Sequence, residues 1–299
     1  MLHSRLIPSF LPVIGVCVLG VSLAQQPKPF DVAAERAAQH NTEEWLTVAP
    51  HLPDPATATP AALEMAGDVL RARRLQEDAI DYFRYAMQRG GDEVTLLNRI
   101  GVTELEMNQG ALARACFKRS VLLRRKYAEG WNNLGATENM DGNLQTAIID
   151  YQRAVKLSRK NAVFHANLGT AYFAVKDYES SRKEFDLAVK LDEGVFRRGG
   201  FGGSQVHVLT GDDRGRFAFE MARLAAGNHE DESMLHWLSV SAEAGFDVRE
   251  GIHGVKEFDA YRKDARIALL LHNQQAMKTK QIATSEPVPA LPAHTTKEN

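Results

Sequence analysis

An all-α array of stacked helix pairs is the fold class that the sequence predicts, and three recurrences predict it. Glycine returns at Gly67, Gly101, Gly135 and Gly169, 34 residues apart each time. An aromatic follows each glycine by sixteen residues, at Phe83, Phe117, Tyr151 and Phe185. A small residue follows each by twelve, at Ala79, Ala113, Ala147 and Ser181. A fixed period of this length marks supersecondary units that bury their apolar faces only by stacking. A glycine inside a helix costs about 1 kcal/mol relative to alanine. Its fourfold retention therefore predicts a contact with no room for a side chain: glycine on the first helix and alanine on the second let the two helices of a unit approach. The aromatic is expected to fill the gap toward the next unit's first helix.

The chain of 299 residues begins with a different kind of segment. Arg5 and the amino terminus precede an apolar run from Leu6 to Leu23, interrupted by Pro8 and Pro12, and Ser22-Leu23-Ala24 places small residues where a signal peptidase reads. Residues 1–24 are thus expected to be a secretion signal, and the mature protein periplasmic or secreted. The alternative is a membrane anchor left uncleaved, because about 18 apolar residues can span a bilayer. Cys17 is not expected to carry a lipid, since bulky Val16 precedes it. With Cys17 removed, Cys116 is the single cysteine, so no intramolecular disulfide forms. Beside Phe117, Cys116 reads as a small buried hydrophobe.

Asp31 to Val48 has helical composition, with Trp45 and Leu46 as packing candidates. The following APHLPDPATATP is a proline-rich connector expected to cap the array, so 25–59 forms an N-terminal helix plus connector. Thr59-Pro60 then supplies an N-cap and a proline at the first helical position. Four units follow over 60–195: 60–93, 94–127, 128–161 and 162–195.

These units resemble the tetratricopeptide repeat, a helix-turn-helix unit of the same length. Residues 128–161 match best, through Trp131, Leu134, Gly135, Gly142, Ala147, Tyr151 and Ala154. The fourth unit matches at Leu168, Gly169, Tyr172, Tyr178, Phe185 and Ala188, with His165 where the pattern has tryptophan. Leu70, Glu104 and Glu138 stand where the first helix usually has an aromatic, and Gly91, Arg125, Arg159 and Glu193 replace the closing proline. The resemblance implies a right-handed superhelical array of antiparallel helix pairs with a concave groove lined by first helices.

Past the array, a Gly-rich segment, 196–215, interrupts the period. Arg216 to Gly227 and His229 to Gly245 read as an irregular helical hairpin in which Ala222, Met234 and Leu238 take the places of the repeat's small and aromatic residues. Asp264 to Met277 can close the far end, so 216–283 is the hairpin and closing helix. The tail 284–299 lacks an apolar period and is expected to be disordered.

The function classes narrow accordingly. A net charge of −2 gives no global field for nucleic acid or an anionic membrane. No HExxH, GxSxG, Walker-type loop or paired metal spacing occurs, so no cofactor, metal or catalytic residue is expected. GGFGGS at Gly199 to Ser204 lacks a following lysine and reads as a linker, while His229 and His236 read as solvated imidazoles. Basic runs at Arg71 to Arg74 and Arg124 to Lys126 read as solvated helix ends, with a docking patch for an acidic partner as the alternative.

The resemblance places a peptide-binding groove at Asn98 and Arg99, at Asn132, Asn133 and Asn139, and at Val163, Asn167, Thr170 and Phe173. Asparagine donates and accepts at once, which suits an extended peptide backbone; the same amides can instead satisfy backbone groups between units. Glu64, Asp68 and Glu129 on this face are expected to repel a terminal carboxylate. The expectation is thus an exported, non-catalytic scaffold, an adaptor or assembly factor whose partner is a protein or extended peptide. The rival is an enzyme or enzyme subunit with a site near the Gly-rich loop and the C-terminal hairpin.

Overall fold

The computed structural model describes residues 32–196 and 211–285, with side chains over 33–196 and 213–276. The expected secretion signal, the GGFGGS stretch and nearly all of the expected tail lie outside the described residues. The described residues fall into two compact units, one ending at Pro50 and the other beginning at His51.

In the first unit the expected single helix is two, α1 (Val32–Gln39) and α2 (Glu43–Val48). The break has a local cause. Thr42 is extended and caps α2, its hydroxyl accepting from Trp45 N at 3.3 Å, while the His40 ring stacks on Trp45 at 3.7 Å. Leu46, expected to pack, is 63% exposed.

The second unit contains the array. Its helices are α3 (Pro60–Ala72), α4 (Gln76–Gln88), α5 (Glu93–Glu106), α6 (Gly110–Leu123), α7 (Ala128–Met140), α8 (Leu144–Leu157), α9 (Ala162–Ala174) and α10 (Tyr178–Leu191). They are followed by α11 (Gly211–Gly227), α12 (Asp231–Glu243), the short α13 (Val248–Ile252) and α14 (Ala265–Ser285). Among the described residues there is no strand, and no helix is long and apolar enough to cross a membrane. Each odd helix from α3 to α11 pairs with the helix after it, and each pair then packs on the next. Chain order is therefore stacking order, the arrangement of a helical-pair solenoid. As expected, Thr59 caps α3, accepting from Ala62 N at 3.3 Å, with Pro60 in the first turn. The connector reaches the first pair's second helix: Tyr82 Oη donates to Pro53 O at 3.2 Å and Arg89 Nε to Ala58 O at 3.3 Å.

The recurrent glycines are explained by their own unit's aromatic. A Cβ placed on Gly67, Gly101, Gly135 or Gly169 would lie 2.5, 2.6, 3.0 or 2.5 Å from the ring of Phe83, Phe117, Tyr151 or Phe185 respectively. The ring packs on the glycine of its own first helix, and the expected contact with the next unit's first helix is present as well: Phe117 clusters with Leu134, Tyr151 with Leu168, and the Phe185 ring lies 5.5 Å from that of Phe217. Ala79, Ala113, Ala147 and Ser181 are fully buried beside the ring.

A second signature lies in the backbone. Counting 60, 94, 128 and 162 as first positions, the fifteenth residue of each unit is Arg74, Asn108, Gly142 or Lys176, and all four have φ between 60° and 78°. In each unit the next amide donates five residues back, from Leu75 to Leu70 O, Gln109 to Glu104 O, Asn143 to Glu138 O and Asp177 to Tyr172 O, at 2.8–3.0 Å. This is the Schellman ending, in which a left-handed residue turns the chain back over the last helical turn. His229 has φ 60° and Glu230 N donates to Ala225 O at 2.9 Å, so the hairpin α11–α12 ends its first helix identically. With 215 as its first position, it is a fifth unit in phase with the others, displaced by the inserted segment. That segment also ends earlier than expected, because α11 is already helical from Gly211. His229 is a turn residue and shares no helix face with His236.

Candidate functional site

The first helices α5, α7 and α9 adjoin one another along the stack, so residues at equal positions in successive units become neighbours. One rule organises their polar contacts: the sixth residue of a unit reaches the fifth residue of the unit before, 35 positions earlier. Arg99 Nη2 lies 2.8 Å from Glu64 Oε1. Asn133 Nδ2 donates to Asn98 Oδ1 at 2.9 Å, and Asn167 Nδ2 donates to Asn132 Oδ1 at 2.9 Å. Asn132 Nδ2 also donates to Asn133 Oδ1 at 3.0 Å. The result is a continuous amide chain, Asn167 to Asn132 to Asn133 to Asn98, across three first helices.

The members of this chain are not equivalent. Asn132 and Asn167 are buried, whereas Asn98 and Asn133 are half-buried at the face. An asparagine carries two N–H donors and two acceptor lone pairs. Asn133 spends one of each on its neighbours, which leaves one of each unused on a half-buried side chain.

The other expected groove residues are placed differently. Arg99 is not open: besides Glu64 it donates to both carboxylate oxygens of Asp68 at 2.6 Å. Consequently Glu64 and Asp68, expected as free repelling charges, are partly neutralised by Arg99, and Arg71 stands 3.9 Å from Asp68. Glu129 is exposed, as expected. Asn139 is half-buried, with an Oδ1 that has no hydrogen-bond partner. Thr170 Oγ1 donates to Ala166 O of its own helix at 2.9 Å, and Val163 is half-buried. Phe173 is core, 3% exposed, with its ring 5.7 Å from Phe217 and 5.4 Å from Tyr178. The twelfth position points inward here because α11 covers it.

Charges replacing the usual aromatic are handled in two ways. Glu138 is held by Arg114, whose Nε lies 3.1 Å away and which also pairs with Asp141. Glu104 has no such arginine in the preceding unit, where Ile80 stands at the position of Arg114. It is buried, its Oε2 lacks a hydrogen bond, and burial pushes its carboxyl above the usual range. Cys116 is half-buried rather than buried, since neighbours on a helix are turned about 100° apart and only Phe117 faces the core. Burial, and then the Glu104 carboxylate, push its thiol up. Among the described residues no group of three or more His, Cys, Asp or Glu could hold a metal ion.

Stacked helix pairs with a polar face built from first helices define a repeat array. Within it the model of the tetratricopeptide repeat matches residues 162–194, the span of the fourth unit. No curated protein matches the chain. Among solved structures it is similar to YrrB, described as a TPR protein with an unusual peptide-binding site, at 22% identity over 45% of this chain and 69% of that one, TM-score 0.39. It is also similar to MamA, at 18% identity over 60% and 93% of the two chains, TM-score 0.42. A third is PilF of Pseudomonas aeruginosa, at 14% identity over 82% and 93%, TM-score 0.47.

Proposed function

We propose that this chain is an exported, non-catalytic repeat scaffold that binds an extended peptide or protein segment along its first-helix face, serving as an adaptor or assembly factor. The observation that carries the reading is the amide chain. It fixes Asn98 and Asn133 in advance and leaves each with unused donor and acceptor capacity at the surface. A peptide backbone presents N–H and C=O groups alternately, which an amide edge of this kind complements without choosing a side chain. Holding the amides before binding lowers the entropy cost of association. Asn132 and Asn167, buried within the chain, position the half-buried pair.

The reading separates binding from stability. Asn133→Ala and Asn98→Ala should each weaken partner affinity by about 0.5–1.5 kcal/mol per lost hydrogen bond, whereas Asn132→Ala should mainly lower stability by stranding the amides beside it. The partner is first recovered by pull-down from the native cell envelope with mass spectrometry, and affinities are then measured by calorimetry beside thermal unfolding. Normal binding by both surface variants would refute the groove. Export is checked by the mass of the mature protein, which should lack residues 1–24.

A further inference from the structure

The face made by the second helices carries a different opening. Between α8 and α10, with α9 as its floor, lies an open pocket of about 530 Å³. Its origin is visible by comparison one unit earlier. There Trp131 Nε1 donates to Arg125 O at 2.9 Å, and Arg153 covers the indole at 4.4 Å. Exactly 34 residues on, His165 Nε2 contacts Arg159 O at 3.0 Å, and since a carbonyl only accepts, that nitrogen donates. His165 therefore repeats the polar half of the tryptophan contact without the second ring. The covering arginine is replaced by Leu187, 43% exposed. Glu184 fixes the imidazole from its other side at 2.6 Å.

The rim carries exposed cations, and the one carboxylate of the lining, Glu184, is engaged by His165. Lys156 and Arg159 line the pocket, and Lys160, with Arg125 and Lys126 on the neighbouring inter-unit turn, extends the same edge. All five are exposed, and none forms an ion pair among the described residues. On a chain with net charge −2 this is a local excess, adjoining an apolar floor of Val155, Leu168 and Leu187.

We propose that this pocket and its basic edge form a second docking site, separate from the first-helix face, for an acidic peptide segment of a partner protein that inserts one aromatic side chain. The aromatic takes the space that Trp131 fills in the preceding unit, and the acidic flanks meet Lys156 and Arg159. Exposed charges alone would supply weak, salt-screened attraction. The pocket supplies the selectivity, because burying an aromatic is what anchors an interface.

The test uses the full chain and short fluorescein-labelled peptides of Asp, Glu and Ser with a central tryptophan or, in the control, alanine, read by anisotropy. The tryptophan peptide should bind about tenfold more tightly than the control, a difference of about 1.4 kcal/mol. The double variant Lys156→Glu/Arg159→Glu should weaken both peptides. His165→Trp, which fills the pocket from within, should abolish the difference between them. Leu187→Arg, which restores at the surface the residue that covers Trp131, should do the same should the first variant fail to fold. Equal affinity of the two peptides, absence of binding, or persistence of the difference in a folded filled-pocket variant would overturn the proposal. So would oligothymidylate or phosphatidylglycerol vesicles binding as tightly as the tryptophan peptide and indifferently to His165→Trp, which would make the edge a general polyanion surface.

Discussion

Replacing Gly169 and Gly135 by alanine in separate variants tests the packing rule of the array. At Gly169 the new Cβ would lie 2.5 Å from Cδ1 and Cε1 of Phe185 and 3.2 Å from Ser181 O. Carbon atoms pack at about 3.5–4.0 Å, so the ring must retreat by roughly 1 Å. It has little room: Phe185 is fully buried, with Phe196 and Phe217 rings edge-on at 5.2 and 5.5 Å. Overpacking of this kind costs about 1–3 kcal/mol, against about 1 kcal/mol gained from alanine's helix propensity. Gly169→Ala should therefore lose up to about 2 kcal/mol net. At Gly135 the nearest ring atoms of Tyr151 are 3.0–3.1 Å away, so a few tenths of an ångström suffice, and gain and cost should nearly cancel. The difference between the variants is the quantity to measure, since both change the unfolded chain in the same way. Urea denaturation followed by circular dichroism and tryptophan fluorescence reads it, with Trp131 in the third unit and Trp237 in the fifth reporting either side of Gly169. Gly169→Ala at least as stable as Gly135→Ala would refute the idea that the ring, rather than the helix, requires the glycine.

Lys176, at φ 63°, occupies a left-handed turn that Gly142 occupies without strain. Lys176→Gly should raise stability by about 0.5–1 kcal/mol, and Gly142→Ala should lower it similarly; the reverse order in thermal unfolding would remove the common turn from the account. Asp150 is buried, and burial, opposed by Arg153 and reinforced by Glu138, pushes its carboxyl up to about 6. A carboxyl raised in the folded state binds its proton more tightly there than in the unfolded chain. Its contribution is thus fully present below about pH 4 and lost as pH rises through about 6. Asp150→Asn should be more stable than the parent by about 1–3 kcal/mol at pH 7.5 and no more stable at pH 4, with denaturation midpoints at the two pH values as the check. An equal loss at both would mean that the carboxylate is needed for its contacts.

The array was legible because its glycine and aromatic are forced by one contact that recurs, and the resemblance phased the fourth unit at 162, where the repeat model also begins. The turn residues were not legible. Arg74, Asn108, Gly142, Lys176 and His229 share no chemistry, and only the backbone shows that they do one job. For the same reason the fifth unit read as an irregular hairpin: Ala222 and Leu238 replace glycine and aromatic together, a paired change that keeps the gap filled while erasing the sequence signal. The groove asparagines were named from their phase, but their partners were not. The available clue was adjacency, since Asn98-Arg99 and Asn132-Asn133 put polar residues at both the fifth and sixth positions, which is what a contact between successive units requires.

That contact also fixes how far the amide face extends. The rule of 35 needs a polar residue at the fifth position of the preceding unit, and in the fourth unit that residue is Ala166. The sixth residue of the fifth unit, Glu220, accordingly turns elsewhere. Fully buried, it takes Arg182 at 2.7 Å, Arg216 at 2.8 Å and Arg223 at 3.4 Å. Arg216 and Arg223 hold the second and ninth positions of their unit, positions that the resemblance assigns to the groove. Here they are drawn onto a buried carboxylate that must be paired to be tolerated, and Arg216 also stacks on Tyr178 at 4.3 Å. The residues that would extend an amide edge are spent on docking the fifth unit to the fourth. In the proposed binding mode a peptide that follows these amides would find partners only over the units before α11, because the fifth unit adds no amide to the face.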